Sequence, residues 1–202
     1  MKKLFEIELL KLRYSKSTKV IFIIYAIITI LSLLLFGDIL EGIASNLASL
    51  PQDQYNMYAD SIVKSPVFDF PMVFFTGSYI STYLIIFPVI LSILHVANEF
   101  SSKIHRQHII DGLSRQDYVI SKFISVIIIS AAYTIYTALL CVIVGSMNNT
   151  GAGSGKEEII DLLFGNTHPF MWIFGYFLYS VSILSFGTLI TFFFRTTGRA
   201  IG

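Results

Sequence analysis

The sequence predicts an all-α fold, a polytopic transmembrane helical bundle with four spans preceded by an N-terminal interfacial helix. Three observations predict it. Hydrophobic residues fill 54% of the 202 positions and charged residues only 13%, about half the charged share of an ordinary soluble domain. The apolar residues fall in four long blocks with almost no charge, and Lys and Arg are distributed unevenly between those blocks. The mean hydropathy of +0.72 agrees with a chain surrounded by lipid.

Residues 1–19, MKKLFEIELLKLRYSKSTK, mix Leu4, Phe5, Ile7, Leu9, Leu10 and Leu12 with charges. This suits a helix at about 3–16 lying in the headgroup layer. Glu8 and Lys11 fall among its apolar positions on a helical wheel, so a plain extension of the first span is the alternative. The apolar run after it continues to Leu40, longer than the apolar part of a secretory leader, and no small-x-small cleavage site follows. It is therefore read as an uncleaved span.

The four spans are expected at about 20–40, 72–96, 123–147 and 170–194, each near the ~20 residues that cross ~30 Å of hydrocarbon. Helix is the state that satisfies the backbone in lipid, and the blocks lack the alternation of barrel strands. Pro88 removes a helical hydrogen bond inside the second block, predicting a kink at Leu84 to Pro88. Trp172 and Tyr176 suit an outer interface in the fourth block, where aromatic packing is expected. Cys141 lies in an apolar run and reads as a small hydrophobic filler; a single cysteine excludes an internal disulfide framework.

Twelve of the fourteen Lys and Arg lie in the first 19 residues, in the connection 97–122 and in the tail after residue 194; Lys64 and Lys156 alone occupy the other two connections. The positive-inside rule then places the N-terminus, the middle connection and residue 202 in the cytoplasm. The connection 41–71, with Pro51, Pro66 and Pro71, is long enough for a small cap or short helix. The segment after Met147 begins with a flexible Gly-Ser stretch and offers a short interfacial helix around Glu157 to Phe164. All this describes one transmembrane domain over 1–202.

Several chemistries are excluded or weakened. A net charge of +1 leaves no basic surplus for nucleic acid. Gly151 to Lys156 reads GAGSGK but has Thr150 and Glu157 where a phosphate-binding loop needs Gly and Ser or Thr, and no strand precedes it. Asn148-Asn149-Thr150 is a glycosylation acceptor pattern too short to carry weight. His105 and His108 could share a helix face, yet further ligands are missing and Arg106 would oppose a cation, so no metal site is assigned. His95, near the end of the second span, is a functional candidate by its place in a membrane helix; a snorkelling polar end is the simpler reading. No catalytic set and no pair of buried carboxylates within a span is evident, which weakens an intramembrane enzyme and an ion-coupled carrier alike. No cofactor is implied.

The connection from Asn98 to Lys122, NEFSSKIHRQHIIDGLSRQDYVISK, is dense in signals. Glu99 to Ile110 can form a helix that Gly112 ends, and Ser114 can N-cap the next helix with Asp117 at its third position. With Asn98-Glu99-Phe100, the run K-I-H-R-Q-H-I-I-D-G-L-S-R at 103–115 and D-Y-V-I-S-K at 117–122, this segment resembles the permease subunit of a bacterial ABC-2 type ABC transporter. The opening E-L-L-K-L-R at 8–13 is similar to that family's amphipathic elbow helix. The specific motif covers about 25 residues, and Lys103-Ile104 departs from the Gly-Thr common in the family.

The resemblance implies a coupling helix, at roughly Glu99 to Asp117, that docks on a separate ATP-binding subunit. Glu99, Arg106, Asp111, Gly112, Arg115 and Asp117 are the docking residues it implies. It further implies a second permease subunit, the same chain or a sister, in the lipid bilayer of a bacterial inner membrane. The expected function is movement of a substrate, with export as the expected direction, and the ATPase activity would reside in the partner. Six spans are usual in the family, so the four present would be a C-terminally truncated set. The alternative is a non-transport membrane protein acting as an assembly or sensory partner through the same inner loop; a neighbouring ATPase gene distinguishes the two.

Overall fold

The computed structural model describes residues 2–48, 68, 72–101, 115–148 and 169–194. Six helices account for nearly all of them: α1 (Lys2–Tyr14), α2 (Lys16–Ala48), α3 (Met72–Tyr83), α4 (Ile86–Ser101), α5 (Arg115–Asn148) and α6 (Pro169–Phe194). No strand occurs among the described residues, and the chain is an all-α polytopic membrane protein.

Helices α2, α5 and α6 each contain a stretch long and apolar enough to cross a membrane: Lys16–Phe36, Gln116–Met147 and Phe170–Phe193. At ~1.5 Å per residue the shortest of these, 21 residues, spans ~31 Å, the thickness of the hydrocarbon layer. Their outward side chains are large and apolar, among them Ile23, Ile27, Leu34, Ile135, Leu139, Phe186 and Phe193, all more than half exposed. Such helices have no solvated polar face, the pattern expected where lipid replaces water.

The second predicted span is α3 followed by α4, which meet at a bend of 50°. The break falls at Leu84-Ile85, and Pro88 supplies the reason. Its ring cannot donate to the carbonyl of Leu84, so that carbonyl accepts instead from Phe87 N–H at 3.2 Å, a tighter turn. The amide of Ile85 likewise bonds Thr82 at 3.4 Å, and the α-helical pattern resumes with Val89 N–H to Ile85 at 3.1 Å.

At the N-terminus, α1 is separated from α2 at Ser15 rather than merging with the first span. Ser15 caps α2: its Oγ accepts the Thr18 amide at 3.4 Å. At the other end α2 runs to Ala48, beyond the expected limit of Leu40. Within the described residues α4 runs to Ser101 and already contains Glu99. Helix α5 is described from Arg115 onward, with Asp117 in its first turn. The segments 102–114 and 149–168, with the expected coupling helix, Ser114 and the expected helix at 157–164, lie outside the described residues, as does most of 49–71.

Two compact units divide the chain. The first comprises Met1–Ala26, Thr82–Tyr136 and Gly175–Gly202, and the second Ile27–Ser81 and Thr137–Phe174. The core of the first unit is built from Leu12, Tyr25, Leu91, Val126, Ile129, Tyr133 and Leu184. Aromatic edges set its geometry: Tyr25 meets Tyr133 at 4.5 Å between ring centroids, and Phe22 meets the same ring at 5.2 Å, both T-shaped. Tyr176 is only 3% exposed, its hydroxyl 3.3 Å from that of Tyr25. This corrects the expectation of an interfacial residue: its phenol is satisfied by another phenol inside the protein instead of by headgroups.

In the second unit, close backbone approach replaces bulk. A Cβ on Gly77 would collide with Cys141 Sγ, so the two helices meet where one side chain is absent. Cys141 is 1% exposed, a packing residue as expected. Ser81 and Thr137 share a hydroxyl bond of 3.1 Å, and Trp172 stands edge-on to Phe75 at 4.8 Å.

Candidate functional site: a buried ion network

The most unusual feature lies in the first unit, where the sequence reading anticipated no buried acid. Glu8 of α1 and Glu99 of α4 are both buried, at 2% and 5% exposure, and Lys122 of α5 is 1% exposed between them. Lys122 Nζ donates to Glu8 Oε1 at 2.9 Å and to Glu99 Oε1 at 2.7 Å. The Tyr118 ring lies 5.3 Å from the same ammonium. One lysine therefore joins three helices.

The remaining carboxylate valences are filled. Lys11 donates to Glu8 at 3.3 Å and to Glu99 at 3.1 Å. Ser125 donates to Glu8 Oε2 at 2.6 Å, and His95 Nε2 stands 3.0 Å from that oxygen. Tyr118 donates to Glu99 Oε2 at 3.2 Å. Two carboxylates thus face two ammonium groups with hydroxyls completing the shell, the condition under which buried charge is tolerated. Burial alone would raise the Glu8 carboxyl. The His95 bond, the Lys122 charge, the Ser125 bond and the Lys11 charge outweigh it and hold Glu8 well below the usual carboxylate range.

Local sequence places each group. Glu8 and Lys11 are three apart, His95 and Glu99 four apart, and Tyr118, Lys122 and Ser125 follow at four and three, so each set occupies one helix face. On α1 the inward face carries Glu8 and Lys11 beside the core residue Leu12, while Phe5, Ile7, Leu9 and Leu10 are each at least 40% exposed. Glu8 and Lys11 interrupt the apolar pattern of α1 because they face this network. His95, read from sequence as a snorkelling end, is instead turned toward Glu8 with its side chain 9% exposed. Lys122, counted among the cytoplasmic charges, is sequestered.

Glu8, His95 and Glu99 bring three metal-ligand atoms within 4.8 Å of one another. The geometry favours an ion pair over a metal. Lys122 already touches both carboxylates, so a divalent ion would have to displace a fixed ammonium and face a second one on Lys11.

Of the sequence-predicted docking residues, Glu99 is turned into this network and Asp117 is exposed in the first turn of α5. Arg115 is the first residue of α5. Arg106, Asp111 and Gly112 lie outside the described residues. The spacing of Glu8, His95, Glu99 and Lys122 was visible in the sequence, but their convergence was not: the four come from three helices up to 114 positions apart.

Apolar spans with a charge cluster joining three helices define a multi-pass membrane protein. The family model described as ABC-2 family transporter protein matches residues 43–202, and the chain belongs to that family. It is accordingly a membrane permease component of an ABC transporter. His95, Glu99 and Lys122 fall within the matched region; Glu8 and Lys11 precede it. No curated protein and no solved structure matches the chain.

Proposed function

We propose that this permease couples substrate movement, in the direction of export, to a separate ATP-binding subunit through the connection between α4 and α5. The observation that carries this reading is the pair of bonds from Lys122 to Glu99 and Glu8. Glu99 is in the last turn of α4, and Tyr118 and Lys122 are in the first turns of α5. The two roots of the connection are therefore pinned to each other and to α1. A displacement of the connection would reach all three helices together, because a filled ion network resists stretching more than a loose loop does.

In this reading the N-terminus, the connection and residue 202 face the cytoplasm of a bacterial inner membrane, and α1 lies in the headgroup layer with Phe5, Leu9 and Leu10 toward lipid. Arg106, Asp111, Gly112, Arg115 and Asp117 form the docking face, with Glu99 as the anchor behind it. A second permease subunit, identical or sister, completes the pathway.

The test is co-purification with a co-expressed ATP-binding subunit of an ABC transporter. Reversing both charges, Arg115→Glu with Asp117→Lys, is expected to abolish association and transport while the melting temperature of the permease stays within about 2 °C of the parent. Unchanged association and transport would refute the coupling assignment.

A further inference from the structure

Next to the ion network a cleft of about 220 Å³ opens between the α1–α2 junction and α4. Lys11, Ser15, Ser17 and Thr18 line one side, and Leu91 and Leu94 supply the apolar part of the other. His95, Asn98 and Glu99 complete the lining. The cleft is smaller than the ~300–1,000 Å³ of sites that enclose a whole drug-sized ligand. It suits a compact polar group attached to something larger outside.

Its position and chemistry narrow that group. The first candidate span begins at Lys16, so Ser15 to Thr18 stand where a helix enters the hydrocarbon and headgroups lie. Both oxygens of Glu99 are engaged by Lys122, Lys11 and Tyr118, which leaves the cleft with no unneutralised acid. Residues 11–19 carry Lys11, Arg13, Lys16 and Lys19 with no acidic residue among them. A stretch of that sign at a membrane surface attracts anionic lipid.

Thr18 adds a specific observation. Its Oγ1 is buried with no hydrogen-bond partner. A buried unmet hydroxyl is costly, and Thr18 lines the cleft. Phosphate oxygens are acceptors that Lys11, Ser15, Ser17 and Thr18 can serve together, and Leu91 and Leu94 can cover the glycerol and first methylenes.

We propose that this cleft is a binding site for the phosphate of a bilayer phospholipid, held by Lys11 and the hydroxyls of Ser15, Ser17 and Thr18. A bound headgroup fastens the α1–α2 junction to α4. The site does not depend on ATPase coupling, so either reading can fail without the other.

Native mass spectrometry of the detergent-purified full chain, titrated with phosphatidylglycerol, tests it. One lipid is expected to be retained per chain, with diacylglycerol, which lacks the phosphate, at least tenfold weaker. The double variant Ser17→Ala, Thr18→Val removes two hydroxyls without touching the ion network, and a five- to tenfold weaker affinity is expected. Leu94→Trp, which fills the cleft, should lower retention by a similar factor, so misfolding of one variant does not decide the outcome. Affinity unchanged in both variants, or diacylglycerol bound as tightly as phosphatidylglycerol, overturns the site. Displacement of the lipid by equimolar inorganic phosphate overturns the lipid as its source.

Discussion

The two compact units hold their helices together by opposite means. In the first, Glu8, Glu99, Lys11 and Lys122 form a network in which charge meets charge at 2.7–3.3 Å. In the second, Gly77 admits Cys141 and a hydroxyl bond links Ser81 to Thr137. Charge binds strongly but tolerates no missing partner, because an unpaired buried ion has no water to turn to. Small-residue packing is weaker per contact and degrades gradually, since lipid competes with it on nearly equal terms. A region that must move as one body is better served by the first, and a region of close helix contact by the second.

The largest effect should follow from removing the shared cation. Lys122→Met leaves two buried carboxylates facing one remaining ammonium and is expected to cost about 3–5 kcal/mol, read as a large drop in melting temperature in detergent. The triple variant Glu8→Gln, Glu99→Gln, Lys122→Met should recover at least half of that loss. A triple variant no more stable than Lys122→Met would show that packing, and not charge, holds this region.

Gly77→Ala comes next. The added methyl meets Cys141 Sγ, and an overpacking cost of about 1–3 kcal/mol is expected. Cys141→Ala in the same chain should relieve most of it, a double-mutant cycle that separates a local collision from a general glycine effect.

The pH dependence distinguishes the regions further. Glu8 has its folded pKa depressed, so its contribution to stability is complete above the unfolded value near ~4.3 and is lost only as pH falls through the depressed one. Melting temperature should therefore decline more steeply below about pH 4 in the parent than in Glu8→Gln; parallel curves would show that the Glu8 pKa is not depressed in the folded protein. The smallest effect belongs to Ser81→Ala, at about 0.6 kcal/mol, the average for a hydrogen bond between membrane helices. A loss above about 2 kcal/mol would place more weight on that bond than small-residue packing implies.

Much of the fold was legible because lipid imposes a rule that a single sequence can obey visibly. Four apolar blocks of spanning length and the Pro88 break follow from local composition and backbone chemistry. The blocks lie within α2, within α3 with α4, within α5 and within α6. The buried network was only half legible. Glu8 and Lys11 disturbed an apolar face, and His95 lay where a membrane helix seldom carries an ionisable group, yet each had an innocent local explanation in snorkelling or headgroup contact. Tyr176 misled for the same reason, since a tyrosine near a span end suits an interface as well as a buried phenol pair.

The sequence by itself determined that this chain is helical and membrane-spanning, and it carried a resemblance to the ABC-2 family. Hydrophobic length and periodicity act within one helix and need no partner to be read. Only the tertiary structure decided that Glu8, Glu99 and Lys122 meet, that α1 turns Glu8 and Lys11 toward α4 and α5, and that Gly77 and Cys141 touch. Those are relations between helices, and a buried charge is stable only when its counter-charges arrive from elsewhere in the chain at bonding distance.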